Sequence, residues 1–215
     1  YIRDTYSQEF EKVRDRIDSL SPCVPDIYFH TPWQPNRRIE ILFVGNLSYA
    51  PNEVAIEYAI EEVMPLVWQE MPDAIFKICG MNEGKLARKY VHLPKVEFTG
   101  FVEDLAAVYS QATVNFVPVP YAAGIQNKLL EAMAVGLPSI LSSNALAANG
   151  VRADVEVFSG DTPATLANSI LAAIGDRDRA ERIAANARQF VEKHHSRLGQ
   201  YHQVKDAVEL VCAKN

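Results

Sequence analysis

Short apolar runs that stop at glycine, each followed by a longer amphipathic stretch, leave few folds open to this chain. Ile39–Val44 (IEILFV) ends at Gly45, Ala74–Cys79 (AIFKIC) at Gly80, and Val96–Thr99 at Gly100. Thr113–Val117 and Pro138–Leu141 continue the series, and a weaker run, Val155–Phe158, closes it. Four to six residues is strand length, and short, mainly apolar strands separated by helices belong to parallel sheets. The stretches 53–70, 83–91, 103–111, 125–135, 163–174, 177–193 and 198–213 carry helical periodicity instead. Strands alternating with helices build right-handed βαβ crossovers. They predict an α/β chain with a Rossmann-like, doubly wound parallel sheet of about six strands.

Residues 1–38 follow another pattern. Phe10, Val13 and Ile17 recur at helical spacing, predicting an amphipathic helix over 6–19. Pro22, Pro25, Pro32 and Pro35 then interrupt any long element. The chain opens at Tyr1 inside what already reads as structured sequence, so a fragment is expected. The net charge of −6, without a Lys/Arg run, argues against nucleic acid and anionic membrane surfaces as partners. A small anionic ligand needs only a few local donors. Cys23, Cys79 and Cys212 are isolated, which suggests neither a zinc site nor a disulfide framework and fits a reducing cytoplasm. No apolar run approaches the roughly 18 residues of a membrane span, and no signal peptide opens the chain.

Open parallel sheets bind ligands beyond the carboxyl ends of their strands. The loop Pro118–Gly124 leads straight into the helix expected over 125–135. Backbone N–H groups of a first helical turn lack intrahelical acceptors and, with the positive dipole end, suit a phosphate. Ile125, Gln126, Asn127 and Lys128 supply those amides, and Lys128 adds a full charge. Ile125, Leu129, Ala132, Met133 and Gly136 form the stripe that packs on the sheet, while Asn127 and Glu131 share another face. A carboxylate one turn beyond a phosphate cradle can accept from two ribose hydroxyls. Spacing alone fits Glu131 equally well to a solvated helix flank.

Other motifs carry less. Gly80–Leu86 imitates a phosphate-binding P-loop but is one residue short and has Leu86 where a hydroxyl must ligate magnesium. No strand is followed by Gly-x-Gly-x-x-Gly, which argues against a dinucleotide oxidoreductase. Asp176-Arg177-Asp178 falls between late helices and reads as a solvated turn. His30, His92, His194, His195 and His202 lack partners spaced for a metal, and no nucleophilic triad is evident.

The segment Ile41–Asn52 (ILFVGNLSYAPN) resembles the opening of the C-terminal domain of family 4 glycosyltransferases. Val96–Val102 (VEFTGFV) is similar to that family's strand and loop beside the nucleobase, and Gly124–Pro138 (GIQNKLLEAMAVGLP) to its donor helix. The resemblance spans roughly residues 23–200 and is most specific in the last block. It implies one half of a GT-B fold: residues 1–36 as the end of an N-terminal domain and linker, 37–195 as the nucleotide-sugar-binding domain, and 196–215 as a helix returning to the missing N-terminal domain. It also implies a retaining glycosyltransferase of hexosyltransferase type, in polysaccharide biosynthesis, using a UDP- or GDP-sugar without metal or other cofactor. The fragment alone would be inactive, and the whole protein cytoplasmic or peripheral to the inner face of the membrane. Gly45, Asn46, Gly100, Phe101, Val102 and Gly124 would line the nucleotide-sugar site with Ile125, Gln126, Asn127, Lys128 and Glu131. Lys128 and Glu131 would be the catalytic pair.

Two departures from the family stand out. An acidic residue that contacts the donor sugar in most members is replaced by Ala123, and the phosphate-binding Arg and Lys by Asn46 and Pro51. A non-catalytic nucleotide-sugar-binding module, and a GT-B-fold sugar-nucleotide epimerase or hydrolase, are the alternatives.

Overall fold

The computed structural model describes residues 22–81, 84–119 and 124–213, with side chains as far as Lys205. The helix expected over 6–19, the turn residues Asn82 and Glu83, and the loop residues Pro120–Ala123 lie outside them.

Six parallel strands form one sheet in the order β3-β2-β1-β4-β5-β6. They are β1 (Glu40–Val44), β2 (Ile75–Cys79), β3 (Val96–Gly100), β4 (Val114–Val117), β5 (Ser139–Ser142) and β6 (Phe158–Gly160). The chain winds outward one way from β1 to β3, then returns to β4 beside β1 and winds the other way. The sheet therefore reverses direction between β1 and β4, which pair at Ile41↔Val114 and Leu42↔Asn115. At such a point the two flanking connections leave for opposite faces and open a crevice.

Side chains alternate along each strand. Ile41 and Phe43 of β1 join Phe76, Ile78, Val114 and Phe116 in one buried layer. The helix that covers it starts as α2 (Ala50–Tyr58), passes through a π-helical turn (Ala59–Val63) and ends as α3 (Met64–Glu70); α8 (Pro163–Gly175) lies beside it. Pro65 has no N–H to give to Glu61, and its ring would crowd that carbonyl, so the ladder widens one turn earlier. Leu42 and Val44 point the other way, into a second layer with Val117, Leu141, Leu129 and Met133. This layer is covered by α5 (Leu105–Gln111), α6 (Asn127–Val135) and α9 (Arg177–His195).

Of the remaining helices, α1 (Asp26–His30) packs against α6, α4 (Gly84–Tyr90) connects β2 to β3, and α7 (Leu146–Asn149) follows β5. Helix α10 (Arg197–Ala213) closes the described chain. The segment before β1 is fastened to the sheet domain. Val24 N–H donates to the His195 carbonyl at 2.7 Å, and Trp33 Nε1 donates to the Ala112 carbonyl at 2.8 Å. No helix among the described residues is long and apolar enough to cross a membrane.

One strand differs from expectation. Residues 154–156 form a turn between the bridged pair Ala153 and Val157; the Arg152 carbonyl accepts from three amides, Asp154 takes φ 60°, and Arg152 pairs with Glu156 at 2.6 Å. The edge strand begins only at Phe158. Apolar content at 155–158 announced a strand, but local side-chain-to-backbone bonds claimed its first half.

Candidate functional site

Beyond the carboxyl ends of β1 and β4, a cavity of about 380 Å³ opens at the crevice. Val44, Gly45 and Asn46 supply its floor from the end of β1; Tyr49, Pro51 and Asn52 enter from the start of α2. Val119 follows β4, and Ile125–Lys128 with Glu131 form the wall from α6. One close approach gives the floor its shape. A Cβ on Gly80 would stand 1.7 Å from the Gly45 carbonyl oxygen, and Gly80 itself has φ 154°. Bare backbone at Gly80 lets the tips of β1 and β2 meet, with the Gly45 amide donating to the Cys79 carbonyl at 3.0 Å.

Helix α6 begins at Asn127, with Gln126 as its cap residue and no side chain capping it. The amides of Asn127 and Lys128 therefore open the first turn without an intrahelical acceptor. Gln126 is different. Its amide donates to Asn149 Oδ1 at 2.7 Å, and Asn149 is buried and anchored to the Ala145 carbonyl at 2.8 Å. This corrects the expectation that Gln126 offers its amide to a ligand.

Lys128 turns its ammonium inward. Nζ lies 4.2 Å from the centre of the Phe43 ring and donates to Asn52 Oδ1 at 2.6 Å. Part of the residue reaches the surface, but the charged end is enclosed, and burial pushes its pKa from the ordinary 10.5 to about 7 against the pull of Glu131. Glu131 sits one turn along the same helix. Burial raises its pKa despite the Tyr109 hydroxyl, which donates to Oε2 at 3.1 Å, and despite the nearby Lys128. Tyr109 is fully buried, and burial together with Glu131 holds its hydroxyl protonated. Tyr28, edge-on to Tyr109 at 6.0 Å, is pushed up to about 12 by burial, then by Glu131 and Asp104. Glu131 and Asn127 also border a second cavity of about 220 Å³, lined as well by Leu130 and Pro22–Pro25.

Seven of the residues singled out in the sequence thus meet at one cavity: Gly45, Asn46, Ile125, Gln126, Asn127, Lys128 and Glu131. Gly100, Phe101 and Val102 do not line it. They follow the tip of β3, where the Gly100 carbonyl accepts from the Gly80 amide at 3.0 Å, Phe101 is exposed and Val102 packs on the second layer. Gly124 borders residues 120–123 and is also absent from the lining. Sequence reasoning passed over Asn52 and Tyr109, the partners of the two charged groups. Asn52 had a signal, since it closes the Tyr-Ala-Pro-Asn turn after β1; Tyr109 reads only as a residue on the inner face of a helix. Among the described residues no cluster of His, Cys, Asp and Glu could hold a metal.

The sequence profile described as "Glycosyl transferases group 1" matches residues 38–176. No curated protein sequence matches the chain. Among solved structures, the chain superposes on HepE from Anabaena in complex with UDP-glucose with a TM-score of 0.65 at 18% identity, covering 80% of this chain and 49% of that one. A glycosyltransferase from Rickettsia africae gives 0.75 at 14% identity over 97% and 62%. The C-terminal domain of a glycosyl transferase group 1 family protein (LpcC) from Francisella tularensis gives 0.62 at 16% over 81% and 100%. The chain spans about half the length of the HepE structures and the whole of the LpcC domain. The likenesses share one fold, the Rossmann-like half of a GT-B molecule. With the profile covering more than half of its length, the chain belongs to the glycosyl transferases group 1 family.

Proposed function

We propose that the crevice between β1 and β4 binds a nucleotide-diphosphate sugar, and that the chain is the donor-binding half of a retaining glycosyltransferase. One observation carries the reading: a single helix sets a buried ammonium, two first-turn amides and a carboxylate along one wall of a 380 Å³ cavity. The diphosphate lies against the Asn127 and Lys128 amides and the Lys128 ammonium, and the ribose hydroxyls donate to Glu131. UDP and UDP-glucose occupy the related HepE structures, which makes a uridine nucleotide the first candidate. As the glycosidic bond to the leaving diphosphate breaks, negative charge grows on its oxygens. Donors already aimed there stabilise that charge more than the ground state. The acceptor comes to the opposite wall, supplied by an N-terminal domain in the whole protein, which works in the cytoplasm or at the inner face of the membrane.

Asn46 and Pro51 favour a second reading, a module that binds the nucleotide sugar without turning it over. Both line the cavity where the family resemblance implies Arg and Lys. Calorimetry with UDP, GDP, ADP and their sugars tests binding. Lys128→Ala is expected to weaken diphosphate binding roughly ten- to a hundredfold, the worth of hydrogen bonds to a charged group, and to spare the nucleoside. Equal loss for UDP and uridine would remove Lys128 from the diphosphate. Turnover of donor in the presence of acceptor by the whole protein separates the enzyme from the module.

A further inference from the structure

Asn52 sits in the first turn of α2 at 7% exposure, so its amide must find partners within the protein. Nδ2 donates to the Asn46 carbonyl at 2.9 Å, and Oδ1 accepts from Lys128 Nζ at 2.6 Å. A flipped amide would face oxygen to a carbonyl and NH2 to an ammonium, so only one orientation satisfies both ends. Gly45 completes the fit. A Cβ there would stand 2.7 Å from Asn52 Nδ2 and 3.2 Å from Lys128 Nζ, so amide, ammonium and bare backbone are packed as one unit.

The choice of an amide matters. A carboxylate at this distance would cancel the ammonium charge and repel phosphate, whereas an apolar side chain would leave a long lysine stem free to choose its rotamer. An amide oxygen takes one of three N–H donors and leaves the charge and two donors in place. Resting on the nucleotide-diphosphate reading above, we infer that Asn52 is the positioning residue that aims the Lys128 ammonium at the donor diphosphate and so sets the preference of the site for diphosphates over uncharged nucleosides.

The other groups facing this pair leave the effect of Asn52 legible. Glu131, on the same helix, is the ionisable group acting on Lys128. Tyr109 from α5 and Tyr28 from α1 face Glu131, and burial keeps both protonated. Asp104 at the start of α5 acts on Tyr28, and Cys79 at the end of β2 acts on Tyr109. Phe43 from β1 brings no charge.

Two variants test the inference, Asn52→Leu and Asn52→Asp. Each is titrated with UDP and with uridine, and the Lys128 ammonium is followed by NMR against pH in the ligand-free chain. Asn52→Leu should weaken UDP about tenfold, leave uridine unchanged and move the lysine titration down. Asn52→Asp should weaken UDP at least as much and move the titration up, because the new carboxylate both competes with phosphate and favours the ammonium. A merely structural residue would not displace the titration in opposite directions. Loss of uridine binding in step with UDP, or a titration that stays put or shifts the same way in both variants, overturns the inference. Should the unaltered chain bind no nucleotide, the donor reading falls by itself; the ligand-free titrations still decide whether Asn52 positions Lys128.

Discussion

An ammonium held near pH 7 makes ligand binding answer to protons. With the groove open, Lys128 titrates at about 7 because burial disfavours its charge more than Glu131 restores it. A bound diphosphate brings negative charge and raises that value, so above pH 7 binding must take up a proton. UDP affinity should then fall as pH rises above about 7, by at most tenfold per unit, and Lys128→Met should flatten the profile. Calorimetry in buffers of different ionisation enthalpy reads the proton directly. Folding has the opposite sign. The unfolded chain holds the Lys128 proton up to its ordinary 10.5, the folded chain only to about 7, so through this group stability rises with pH across that window. The enclosed Lys128 is thus a cost to the fold that Glu131 offsets only in part.

At the scale of elements, the crevice depends on how closely the strand tips approach. Gly80→Ala would push a methyl carbon into the Gly45 carbonyl, 1.7 Å away, with no flexible side chain to yield. The expected cost is about 3 kcal/mol or more, read from the denaturant midpoint, with UDP binding lost as the β1 tip moves. An alanine variant of unchanged stability would mean that the two tips are not in contact. Much of this level was legible in the sequence, because buried parallel strands are nearly continuous apolar runs, as Ile41–Val44 is, and glycine marks their ends. The apolar stripe of α6 likewise placed Glu131 off the sheet-facing side. Two things were not legible. Pro51 lies inside the first turn of α2 rather than before the helix, since proline needs no N–H there. Asn52 meets Lys128 only because β1 and β4 are neighbours, a pairing that joins positions 76 residues apart and leaves no local mark.

On the scale of the whole molecule, the segment before the sheet and the helices after it share a seam. The His195 ring is buried, its Nδ1 contacts the Pro22 carbonyl at 3.0 Å, and burial lowers its pKa below 6.5. The unfolded chain therefore binds the extra proton first. The stability this neutral ring contributes is present above about pH 6.5 and declines as pH falls below it. The protection of the Val24 amide, which donates to the His195 carbonyl, should fall as the imidazole takes up its proton, before protection in β1 falls, and His195→Gln should remove the difference. Leu198 and Tyr201 on α10 lie exposed just past the seam.

In the proposed arrangement one helix grips both ends of a nucleotide diphosphate, and a crystal of this chain grown with UDP is the sharpest test of it. Phosphate oxygens within hydrogen-bonding reach of the Asn127 and Lys128 amides and of Lys128 Nζ, with both ribose hydroxyls on Glu131, are the expected result. UDP lodged away from the β1–β4 crevice, or seated there with Glu131 left untouched, would contradict it.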